Sequence, residues 1–188
     1  MDLYHVVLFL HIVTLLVAAA ATAVTKLAAG RRARARTVGE ALDWHNVLMS
    51  TAKLFPMCLV AFVLTGSYML SVVRIDWMTG FVVAGLAGVL LLLANGVFLA
   101  TKGKALKGVL ESMAKNGLDQ PAPELVPPPV IAAMPLINAG IALAVAFDMV
   151  TKPASTPIAL AVVAVGIVLG AGLGMRRPAP AASPATSD

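Results

Sequence analysis

Residues Val6 to Arg36 read VVLFLHIVTLLVAAAATAVTKLAAGRRARAR. The first part, Val6 to Ala28, is apolar apart from His11, three threonines and Lys26. It exceeds the roughly 20 residues that a helix needs to cross a hydrocarbon core of about 30 Å. The second part sets Arg31, Arg32, Arg34 and Arg36 directly behind that run. An apolar helix closed at one end by guanidinium groups is the pattern of a membrane span whose trailing end lies in the cytoplasm.

Working outward, four further segments have the same character: Val47 to Val73, Trp77 to Leu99, Val130 to Val150 and Pro157 to Met175. Backbone amides facing lipid must bond within their own segment, and the short alternating pattern of a membrane barrel is missing. The sequence therefore predicts an all-α polytopic bundle of five transmembrane helices, one unit over residues 1–175. Composition agrees, with 60% hydrophobic and 12% charged residues among 188 and a mean hydropathy of +0.92. A water-soluble domain of this size cannot hide so much apolar surface. The single cysteine, Cys58, has no internal partner, which excludes a disulfide-stapled secreted module.

Charge orders the spans. Lys26 and the four arginines follow the first span, Lys102, Lys104, Lys107 and Lys115 follow the third, and Arg176 and Arg177 follow the fifth. That is eleven of the fourteen Lys and Arg residues on one side, against Arg74 and Lys152 on the other and Lys53 at the edge of a span. The expected placement is a bacterial inner membrane, N-terminus outside and C-terminus in the cytoplasm. The leading residues Met1 and Asp2 provide no basic n-region, and the basic cluster lies behind the span, so a retained anchor is expected rather than a cleaved signal.

Connections are short. Thr151 to Pro157 predicts a tight hairpin, with Asp148 placed to pair with Lys152 four positions on. Residues 101–129 predict an amphipathic helical extension to Lys115 followed by a Pro-rich connector containing Pro121, Pro123, Pro127, Pro128 and Pro129. Residues 176–188, rich in Pro, Ala, Ser and Thr, predict a mobile tail. No segment is long enough for an extramembrane catalytic domain. The arginine run lacks the aromatic platform of a nucleic-acid site, so nucleic acid is not expected as a partner.

Three groups of residues stand out. Gly166, Gly170 and Gly174 form a small-residue stripe on the last span, and Ala84 with Gly88 a shorter one on the third, where helix backbones can approach closely. Lys53, Asn95 and Asn138 fall at comparable depth in antiparallel helices, which is either a polar cavity or separate cross-helix contacts with Lys53 reaching to headgroups. On the opposite side lie His5, His11, Met69 and Met78. An imidazole with a thioether suits haem iron or copper, while His11 bonding across helices and methionines filling gaps is the structural alternative. His45 is expected beyond the other end of the bundle, out of reach of His11.

The run Leu10-His11-Ile12, with Thr65-Gly66 on the second span, resembles small bacterial integral membrane proteins and the membrane domains of copper-resistance and haem-associated helical-bundle families over residues 3 to about 110. What the resemblance implies is a compact inner-membrane bundle in which His11 matches a ligand for haem b or copper. Three functions follow as expectations. The first is a non-catalytic subunit or assembly factor of a membrane complex, with a membrane-protein partner or a second copy of itself. The second is a haem- or copper-associated redox protein using His11 with Met69 or Met78. The third is a small transporter or ligand-binding module using Lys53, Asn95 and Asn138.

Overall fold

The computed structural model describes residues 2–124 and 128–175. Arg176, Arg177, the tail 176–188 and Pro127 of the connector lie outside the described residues. The chain is all-α, with helices α1 (Leu3–Ala33), α2 (Val38–Ala52), α3 (Leu54–Val73), α4 (Gly80–Ala114), α5 (Pro129–Thr151) and α6 (Thr156–Met175). Five segments are long and apolar enough to cross a membrane, α2 and α3 counting as one interrupted rod from Val38 to Val73.

The interruption has a local cause. Pro56 has no amide hydrogen to give the carbonyl of Ala52, and its ring crowds that oxygen. The helix breaks at Lys53 and restarts at Leu54, so that Pro56 falls in the first turn of α3, where a missing donor costs little. Pro135, by contrast, lies inside α5 without ending it.

The second rod begins nine residues before its apolar stretch, at Val38 rather than Val47. Thr37 and Glu40 explain the early start. The Thr37 hydroxyl accepts from the Glu40 amide at 3.2 Å, and the Glu40 carboxylate accepts from the Arg36 amide at 3.0 Å, a variant of the reciprocal cap. The connector supplies the rest. Val38 donates to the Gln120 carbonyl at 2.9 Å and Gly39 to that of Leu118 at 3.0 Å, while Ala122 donates back to Arg36 at 2.9 Å. Residues 118–122 thus lie antiparallel across the α1–α2 corner and satisfy amide donors that a helix start leaves without partners.

The helices form two groups. α1 packs along α2 and α3, while α4, α5 and α6 pack on one another, and α2 against α4 is the main join between them. The core of the second group is built of small and branched residues, Ala84, Ile141, Ala144, Ala159 and Val163. Outward faces are the reverse of a soluble protein's: Phe9 is 65% exposed, Leu64 66%, Leu143 71% and Val168 69%. Those side chains suit a hydrocarbon solvent.

At one end of the bundle, the hairpin end, sit the α3–α4 and α5–α6 turns. The α4 start docks on the second turn, Gly80 donating to the Ala154 carbonyl and Phe81 to that of Pro153, both at 3.1 Å. Trp77 and Met78 lie in the exposed turn before α4, not in the helix. The other end, the basic end, carries the arginine run, α2 and the C-terminal turns of α4.

Candidate functional site

His11 lies two turns into α1, opposite Thr65 of α3. The Thr65 hydroxyl gives its hydrogen to the Ala61 carbonyl at 2.6 Å, so its lone pair receives the His11 Nδ1–H at 2.7 Å. In the neutral ring this leaves Nε2 with a free lone pair. The edge-on ring of Phe62, 5.1 Å away between centroids, fixes the imidazole further, and Gly66 leaves room beside its Cε1 atom. A histidine that ligates a metal usually spends its other nitrogen in this way. Met69 is one turn from Thr65 on the same side of α3 and half-buried, whereas Met78 is 76% exposed in the turn. His5 is at the surface near Asp2. Among the described residues no three His, Cys, Asp or Glu side chains gather closely enough to hold a metal ion. Of the two methionines named with His11, Met69 is half-buried on the helix that carries Thr65, and Met78 is not on that helix.

Of the three polar residues grouped by depth, two meet. Asn95 of α4 donates from Nδ2 to Oδ1 of Asn138 on α5 at 2.8 Å, a cross-helix amide bond. Lys53 is exposed at the α2–α3 break and takes no part in that pair. The polar cavity expected from Lys53, Asn95 and Asn138 is thus divided between an interhelical bond and an exposed ammonium. Lys53 sits at the break between α2 and α3, where its side chain is exposed.

The glycine stripes are contacts within the chain. Gly166 meets Gly140 and Ala144, Gly170 meets Leu136 and Ile137, and Gly174 meets Ala133, all across the α5–α6 seam. Ala84 belongs to the core, and a methyl at Gly88 would lie 2.5 Å from Val145. Gly140 is the residue that sequence reading missed, and its backbone touches that of Gly166 reciprocally.

His45 is the larger surprise. It is fully buried where α1, α2 and α4 converge, not beyond the bundle. Arg32 Nη1, which can only donate, lies 2.8 Å from Nδ1, and Nε2 lies 3.1 Å from the Gly103 carbonyl. The ring must be neutral with its hydrogen on Nε2, accepting from α1 and donating to α4. Gly103 also leaves room for Met49, whose sulfur a methyl at this position would displace. The sequence signal was present in Val38, Ala41 and His45, which share a buried stripe at helical spacing.

The expected Asp148–Lys152 pair does not form. Lys152 takes a left-handed conformation to end α5, and its main-chain N–H bonds to the Asp148 carbonyl at 2.7 Å while its side chain is exposed. The Asp148 side chain is fully buried, and neither carboxyl oxygen has a hydrogen-bond partner among the described residues.

Comparison with protein-family models, curated proteins and solved structures finds no match to this chain.

Proposed function

We propose that this protein is a non-catalytic subunit or assembly factor of a membrane complex. The observation that carries the reading is how the polar side chains are spent. His11 ties α1 to α3, Asn95 ties α4 to α5, and His45 ties α2 to both α1 and α4. Each of these bonds fixes the placement of one helix against another, and together they make a rigid apolar platform with lipid-type surface on its outer faces. Purification of the protein from its native membrane in mild detergent is expected to recover a stoichiometric membrane-protein partner. Recovery of the chain alone at every detergent strength, with no partner captured by crosslinking in the intact membrane, overturns the proposal.

A second reading is favoured by one atom. Nδ1 of His11 is held by Thr65, which leaves Nε2 free as a ligand atom, and Met69 lies on the adjoining helix. His11 would hold a haem b, which would supply one-electron chemistry. Absorption spectra and metal analysis of the same purified sample decide it. Haem or copper that is lost on His11→Ala supports this reading, and colourless, metal-free protein from cells supplied with both sinks it.

A further inference from the structure

Asp148 is used by neither reading. It lies one turn from the end of α5, on the stripe that Gly140 and Ala144 present to α6, and it is fully buried with both carboxyl oxygens unpartnered among the described residues. An ionised carboxylate taken out of water needs a cation or several donors, and without them it takes up a proton instead. We infer that Asp148 is a proton-binding site whose carboxyl is neutral while α4, α5 and α6 are packed at the hairpin end.

The surroundings leave the proton as the ligand that fits. α6, Thr156 to Met175, contains no Asp, Glu, His, Lys or Arg, and α4 has none from Gly80 to Thr101. On α5 itself Asp148 is the one ionisable side chain. Lys152 in the turn is exposed and bonds to Asp148 only through its main chain, and Asp76 and Arg74 in the other turn are exposed. α1, which touches α5 slightly, bears His5, His11 and Asp2 at this end, with His11 committed to Thr65 and His5 beside Asp2 at the surface. A side chain with no exposed surface leaves no room for a hydrated metal ion, whereas a proton needs none.

The step is a simple equilibrium: carboxylate plus proton gives carboxylic acid, with water at the hairpin end as donor and acceptor. Protonated, the group can give its O–H to a main-chain carbonyl one turn back, as Thr14, Thr65 and Thr151 do in their helices. Loss of the proton leaves a bare charge in the apolar seam, which disfavours the packed state.

The test uses the full chain in lipid nanodiscs with its aspartate carboxyls labelled with carbon-13. Infrared spectra at neutral pH are expected to show a protonated aspartate band that Asp148→Asn removes. The other described aspartates, Asp2, Asp43, Asp76 and Asp119, are exposed, so the wild-type band is informative even where the variant fails to accumulate. In denaturation, the folded state holds one proton more than the unfolded one, so wild-type stability falls as pH rises above the ordinary carboxylate range. The slope reaches about tenfold in the folding equilibrium constant per pH unit and is absent from the Asp148→Asn protein. Aspartates all ionised at neutral pH, or a protonated band that survives the substitution, overturns the inference.

Discussion

Replacing His45 with alanine removes the acceptor of the Arg32 guanidinium and the donor to the Gly103 carbonyl together, and opens a cavity where three helices meet. Arg32 already has its Nε buried without a partner among the described residues. The expected cost is about 2–4 kcal/mol, read as a lower midpoint in denaturant, with the basic end exchanging its amide hydrogens first. Acidification acts on the same point: a proton on Nδ1 would set a second cation 2.8 Å from Arg32 Nη1, so this lock weakens as pH falls. Asn95 and Asn138 are a milder case. Each single alanine variant loses one cross-helix bond, and a double-mutant cycle is expected to return a coupling of about 1 kcal/mol. A coupling near zero would mean that each amide finds another partner. At this scale the sequence was informative about which side chains were costly in lipid, but not about which would meet. Depth grouped Asn95 with Asn138 but also with Lys53, which does not join them. The meeting of His45 with Gly103 depended on a helix start that apolarity alone does not reveal.

Among elements, the tightest seam is α5 against α6. Helix backbones can come this close only where no side chain intervenes, and Gly140 and Gly166 each occupy the space that the other's methyl would need. Gly140→Ala or Gly166→Ala must therefore push the two helices apart, at a cost of about 2 kcal/mol or more. Gly172, on the same helix as Gly166, has open space where a methyl would be added. Gly172→Ala is expected to be neutral or to gain up to about 1 kcal/mol from helix propensity. Thermal unfolding of the three variants in one detergent separates packing from propensity, and equal losses at all three positions would refute the seam. The α6 stripe was legible because its spacing survives in the sequence. Its counterpart on α5 was not, because Gly140 lies among Leu136, Ile137 and Ile141, where composition marks an ordinary span. The Lys53 break was not read from the sequence, where Val47 to Val73 counts as one apolar span; its cause is Pro56, three residues on.

For the whole molecule, the five long apolar segments dictated the bundle, and the basic residues divided its two ends chemically. At the basic end Arg31 lies over the Trp44 ring at 5.7 Å, and Lys26, Arg31 and Arg34 share one exposed face of α1. At the hairpin end Arg74 and Lys152 are spent as left-handed helix terminators. An insertion machinery that retains cations in the cytoplasm would hold the basic end inside, since Arg31 to Arg36 and Lys102 to Lys115 act together. The prediction is tested with single cysteines in a Cys58→Ala background and a maleimide that cannot cross membranes. Arg34→Cys and Lys104→Cys should react only from the cytoplasmic side, and Met78→Cys and Lys152→Cys only from outside, all four positions being exposed. Exchange of the two pairs would reverse the orientation and keep the fold. Labelling of Arg34→Cys and Lys104→Cys from opposite sides would be more serious. His45 bridges α1 and α4 beside those positions, and no single arrangement of these helices in a bilayer accommodates both that bridge and such a result.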